Sequence, residues 1–162
     1  MKEVFPNLFI GDQSDFEREQ EGMRDWAIVQ ACKEPYHRRA LGYAGRGAPK
    51  GHPEYFFAYR GNRLILNLVD SALPSYIPDI IIEEAITFID ANLRRGKKVF
   101  VHCNAGASRS PSLVLAYLVR HTKFTEGLTL FESVEAKFKL IYPSYFPAGI
   151  REKVRDIFQA KK

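Results

Sequence analysis

The sequence predicts an α/β fold, with a central, mostly parallel sheet and helices on both faces. Two observations predict it. Four short apolar runs, at residues 8–10, 26–29, 64–69 and 99–101, read as strands. Between and after them the apolar period shifts to that of a helix. Strands that alternate with helices pack as a parallel sheet covered on both sides.

Leu8-Phe9-Ile10 is expected to be an edge strand. Ser14 is placed to cap a short polar helix across Phe16 to Glu21. Trp26-Ala27-Ile28-Val29 is the second strand, ending near Cys32. Residues 33–62 carry Gly42, Gly45, Gly47, Pro49, Gly51, Pro53 and Gly61 with no clear period, so they read as a long loop. Ordered loops of that length are often functional. Leu64 to Val69 is a continuous apolar strand. Pro78 starts a helix whose apolar positions Ile81, Ile82, Ala85, Ile86, Ile89 and Leu93 keep helical spacing. Arg94, Arg95 and Gly96 make its end. After the Val99–Val101 strand and a short loop, Pro111 to His121 is a buried helix. Thr125 caps another, with Leu128, Phe131, Val134 and Phe138 on one face. A last helix runs from about Ala148 to Phe158.

At 162 residues, 46% of them hydrophobic, the chain is expected to form one domain, 1–162, with a sizeable core. No apolar run is long enough to cross a bilayer, and the stretch from Met1 to Pro6 lacks the apolar run of a secretion signal. The two cysteines are far apart, which argues against a disulfide framework and for a reducing, cytoplasmic setting. The net charge of +5 attracts anionic partners. No nucleic-acid motif is present, so the basic surface reads as a general attraction for anionic groups.

The chemistry concentrates in His102-Cys103-Asn104-Ala105-Gly106-Ala107-Ser108-Arg109-Ser110. This loop joins a strand end to a helix start. Its backbone N–H groups are able to converge on one anion, and the helix dipole favours negative charge there. A thiol in such a cradle is favoured as the thiolate. A site that stabilises both a thiolate and a tetrahedral oxyanion suggests phosphoryl transfer through sulfur. No second ligand pair accompanies His102 and Cys103, so neither a metal nor another cofactor is expected.

Cys-x5-Arg-Ser after a strand resembles the signature of the cysteine-dependent protein phosphatases, and the wording of this loop resembles their dual-specificity branch. Three further segments agree. Val4 to Gly11 resembles the opening strand, and Leu64 to Asp70 the strand that ends in the general-acid aspartate. Phe138 to Phe146, with Pro143 inside it, resembles the helix end and turn that back the phosphate loop. Family members often carry asparagine after that proline, where this chain has Ser144. No family pattern covers the basic and aromatic insertion at about 33–62.

The resemblance implies a protein-tyrosine-phosphatase-like fold and roles for particular residues. Cys103 is the expected nucleophile. Arg109 is the phosphate clamp, its planar fork matched to two oxygens. Asp70 is the expected general acid, later the base. Asp79 is its rival, but a place just before a helix explains that residue. Ser110 is expected to donate to the sulfur. Asn104, Ala105, Gly106, Ala107 and Ser108 bind phosphate through backbone N–H groups, with Gly106 supplying a backbone angle closed to other residues. His102 is expected to orient the cysteine from beneath the loop. Cys32, at a strand end near the loop, is a candidate redox partner, because some relatives protect their nucleophile with a reversible disulfide. Tyr36, His37, Arg38 and Arg39 are candidates for substrate recognition at the site's border.

The expected partner is thus a phosphorylated substrate, foremost a phosphoprotein bearing Ser, Thr or Tyr phosphate. Phosphoinositides, inositol phosphates and RNA 5′-phosphates stay open, as does a catalytically silent phosphate-binding module. A sulfurtransferase or arsenate reductase would also use a loop cysteine, but the upstream acid and Arg-Ser at the helix start suit ester cleavage better.

Overall fold

Strand alternation sorts the apolar residues onto two faces. In the computed structural model, which describes residues 1–161, six short strands form one sheet. They are β1 (Lys2–Phe5), β2 (Leu8–Gly11), β3 (Ala27–Gln30), β4 (Phe57–Arg60), β5 (Arg63–Leu66) and β6 (Val99–His102). Their order across the sheet is β1-β2-β6-β3-β5-β4. The inner four run parallel, and β1 and β4 are antiparallel edges.

Both antiparallel edges go beyond the sequence expectation, which placed an edge at Leu8–Ile10. Asn7, at φ 65°, turns β1 into β2, so β2 lies one strand inside the sheet. Gly61 and Asn62 turn β4 back onto β5. The segment 33–62 is therefore not a structureless loop. It holds β4, a wide helical turn over Lys33–His37 and the short helix α2 (Arg38–Leu41).

Helices cover both faces, unequally. On one face α3 (Asp79–Arg94) and α4 (Arg109–His121) pack onto the strand residues Leu8, Ile10, Val29, Leu64, Leu66, Val99 and Val101, while α6 (Ile150–Lys161) packs on α4 and α5 (Phe131–Ile141) joins the same core. The alternate strand residues Ile28, Ile65 and Phe100 face the other way. There they meet Phe16 of α1 (Gln13–Glu19), Met23, Cys32 and Tyr36. α4 is buried from Arg109 to Val119, wedged beside α3 and α6.

Four helix starts differ from expectation, α4 beginning at Arg109 rather than Pro111. Asp12, not Ser14, caps α1: its carboxylate takes the Asp15 N–H at 2.8 Å, and Asp15 returns the bond to the Asp12 N–H at 3.0 Å. Thr125 does not cap α5. It closes a turn with Leu128 that passes through Gly127 at φ 79°, and α5 begins only at Phe131. The last helix begins at Ile150. β5 also stops at Leu66 rather than Val69, because the next residues leave the sheet and the Leu68 carbonyl turns to Arg109. Among the described residues, no helix is long and apolar enough to cross a membrane.

Candidate active site

β6 ends at His102, and α4 begins at Arg109. The loop between them passes over the C-terminal ends of the parallel strands, where open α/β sheets bind ligands. Gly106 makes its turn possible. Its φ is +70°, and a Cβ there would lie 3.1 Å from the Gly11 carbonyl oxygen. α4 starts without a side-chain cap. The Ser108 hydroxyl instead accepts the Ala148 N–H at 2.9 Å. The N–H groups of the first helical turn are thus left for an anion.

The Cys103 sulfur is buried at the centre of this loop. The Gly106 N–H points to it at 3.3 Å, and the Ser110 hydroxyl lies 3.3 Å away. That hydroxyl also lies 3.2 Å from the Gly11 carbonyl. It has one proton for two acceptors. With a neutral thiol it donates to Gly11 and accepts the S–H; with a thiolate it turns its proton to sulfur.

Arg109 is turned inward, with 7% of its surface exposed. One terminal nitrogen donates to the Leu68 carbonyl at 3.0 Å, and the other to Asn104 Oδ1 at 2.6 Å. Its Nε is buried with no partner among the described residues. A buried N–H without an acceptor costs about 1–3 kcal/mol, a deficit that an incoming oxyanion removes. Asn104 ties the loop outward: its Nδ2 donates to Gln13 Oε1 and to the Glu34 carbonyl, each at 2.9 Å.

Beneath the loop the His102 ring stacks on Phe16 and meets the edge of Tyr36. Its Nδ1 lies 3.2 Å from the Cys103 carbonyl oxygen, and its Nε2 lies 3.2 Å from Gln30 Nε2. Arg63 donates to Gln30 Oε1 at 2.8 Å. That bond fixes the amide: Gln30 Nε2 donates to His102 Nε2, and the ring proton sits on Nδ1 and points at Cys103. Burial pushes His102 down to about 4, so the imidazole is neutral at physiological pH.

Asp70 is exposed on the loop after β5, with no hydrogen-bond or ion-pair partner among the described residues. The Leu68 carbonyl, two residues earlier, accepts both Arg109 and the Lys33 N–H at 3.0 Å. The Gly149 N–H holds the Ser71 carbonyl at 2.8 Å. The carboxylate therefore extends from a segment anchored on both sides. Asp79 lies inside the first turn of α3, where a carboxylate suits the helix dipole; it does not cap the helix, and it pairs with Lys153.

The candidates in the insertion divide. His37 is fully buried, its ring bonded to the Tyr43 hydroxyl and the Glu54 carbonyl, each at 2.9 Å, so it builds the segment and meets no substrate. Tyr36 is also buried, its ring against Phe16 and His102. Arg38 closes its own turn through Glu34, Tyr43 O and Gly45 O, which removes it as a free recruiter of anions. Arg39 alone is exposed without a hydrogen-bond or ion-pair partner. Cys32 is a free buried thiol pushed up to about 12 by burial. It packs in the α1-face core, whereas Cys103 packs in the opposite one.

Sequence reasoning missed Tyr142, whose hydroxyl donates to the Gly106 carbonyl at 2.7 Å. Burial pushes that phenol up to about 12, so it keeps its proton. With the Phe146 N–H on the Ala107 carbonyl at 2.7 Å, it backs the loop. Ser144 is exposed and makes no such bond among the described residues.

This strand–loop–helix thiol site on a mostly parallel sheet defines the protein-tyrosine-phosphatase-like class. Residues 75–147 match the family model of the dual specificity phosphatase catalytic domain. Dual specificity protein phosphatase 26 of Mus musculus is 33% identical over 124 residues, covering 76% of this chain and 53% of that protein. The Homo sapiens counterpart is 32% identical over 134 residues, covering 82% and 56%. This chain thus spans about half the length of these curated relatives. The crystal structure of human DUSP28 superposes with a TM-score of 0.65 at 22% identity, covering 98% of this chain and 93% of that one. The chain thus has the fold of these phosphatases and is similar in sequence to dual-specificity phosphatases over about three quarters of its length.

Proposed function

We propose that this protein hydrolyses phosphate monoesters through a cysteinyl-phosphate, acting on proteins that carry Ser, Thr or Tyr phosphate. The observation that carries the reading is the Cys103 sulfur held by the Gly106 N–H and the Ser110 hydroxyl, beside an Arg109 Nε without an acceptor.

In the first step the Cys103 thiolate attacks phosphorus and the P–O ester bond breaks. Asp70 gives its proton to the leaving alkoxide or phenoxide. Arg109 and the loop N–H groups hold the equatorial oxygens, whose charge they meet without reorganisation. In the second step water attacks the phosphoenzyme, Asp70 takes back a proton, and sulfur leaves as a thiolate that Ser110 stabilises. Inorganic phosphate departs. The presence of thiol, guanidinium and acid together favours catalysis over silent binding, and a reducing, cytoplasmic setting suits the thiolate.

The test is a metal-free hydrolysis panel of phosphopeptides, phosphoinositides and triphosphorylated RNA. Cys103→Ser should abolish turnover. Asp70→Asn should lower kcat by about 10²- to 10⁴-fold, most for substrates with poor leaving groups. Turnover that survives Cys103→Ser sinks the mechanism; a preference for lipid or RNA replaces the substrate class.

The proposal extends to Cys32 as a resolving thiol. Peroxide oxidises the Cys103 thiolate to a sulfenic acid, and the Cys32 thiol displaces water from it to give a disulfide. Mass spectrometry after mild peroxide should find the 32–103 link. Passage of Cys103 to sulfinic acid without that link removes Cys32 from the scheme.

A further inference from the structure

A cleft of about 630 Å³ opens on the α1 face of the sheet, between α1 and residues 36–40 and over β4 and β5. It shares no residue with the 102–110 loop. The His102 ring lies between the two, with Phe16 stacked on it and Tyr36 at its edge.

Its charge is unbalanced. Arg39, Arg60 and Arg63 line it against one carboxylate, Glu17. Glu17 already accepts Gln13 Nε2 at 2.9 Å and the Tyr36 hydroxyl at 3.3 Å. Arg60 is occupied by Glu54 and by the Ala40 carbonyl. Arg63 gives one N–H to Gln30 and has no acidic partner among the described residues. Arg39 has none either. Two uncompensated guanidinium forks thus share one cavity with the apolar surfaces of Phe16, Tyr36 and Ile65. Guanidinium matches phosphate geometry through paired N–H donors. The apolar lining suits a flat carbon body attached to that phosphate.

We propose that this cleft is a second anion site, which takes an organic phosphate with its phosphoryl group on Arg39 and Arg63 and its apolar body against Phe16, Tyr36 and Ile65. The site is independent of turnover at Cys103 and stands or falls apart from the proposed reaction.

Phenylphosphonate, which has no ester bond to cleave, is the probe. Titration calorimetry on the full chain should give two sites. Arg109→Ala should remove the loop site and leave the other. On that background Arg39→Glu, at an exposed position with no partner to lose, should weaken the remaining site by about tenfold or more, the scale of a lost charge-assisted contact. Inorganic phosphate should bind the same site several-fold more weakly. A single site that disappears with Arg109→Ala overturns the proposal, as does a residual site indifferent to Arg39→Glu. Equal affinity for inorganic phosphate and phenylphosphonate overturns the organic ligand.

Discussion

His102 shows how one buried ring sets the behaviour of its neighbour. It titrates at about 4 in the fold, because burial opposes its charge, against an ordinary value of 6.5. Between those values the unfolded chain binds more protons than the native one, so stability falls as pH drops from 6.5 towards 4. The full loss is about 3 kcal/mol. Urea midpoints measured from pH 7 to pH 4 should drop steeply for the wild type and less steeply for His102→Gln. Parallel slopes would show that another group carries the acid sensitivity. His102, Cys103, Arg109 and Ser110 were legible because they sit together in the sequence, and their spacing alone places them on one loop. Gln30, Arg63 and Tyr142 were not, because each reaches the loop from a distant part of the chain and nothing local marks the contact. His37 and Arg38 misled for a related reason: a basic stretch in sequence does not reveal which cations are consumed by their own segment.

At the scale of elements, the loop that carries Asp70, the proposed acid, depends on Gly149. A Cβ there would meet the Ser71 carbonyl oxygen at 2.6 Å and Ala72 backbone atoms at 2.8 Å. Gly149→Ala must therefore shift residues 71–72, next to Asp70. The expected result is a fall in kcat of about 10- to 100-fold, the scale of an ångström-level displacement of a catalytic group. Tungstate or phosphate binding at the loop should hardly change. Equal losses in binding and kcat would mean that the phosphate loop itself had moved. The central strands and long helices were legible from apolar period. The edges were not: Lys2–Phe5 and Phe57–Arg60 mix charged residues with half-buried aromatics such as Phe5 and Phe57 in runs of only four, so their strand character comes from pairing. Only the Gly61-Asn62 turn offered a local hairpin signal.

At the scale of the whole molecule, net charge governs encounter. With +5 overall, the chain attracts anions from a distance, and the proposed substrates, doubly charged phosphate esters, would gain from that field. The Debye length falls from about 30 Å at 0.01 M salt to about 3 Å at 1 M. kcat/KM for an acidic phosphopeptide should therefore decline several-fold across that range, mostly through slower association. A flat profile would confine substrate attraction to contacts inside the pocket. The order of strands carries one more consequence. β6 is the last strand in sequence, yet it sits between β2 and β3. A nascent chain that has not yet emerged through His102 leaves β2 bound only to its hairpin mate β1, while β3 waits with one flank bare. The keystone arrives late, so synthesis on the ribosome is the interval when this protein most needs shielding from association with its neighbours.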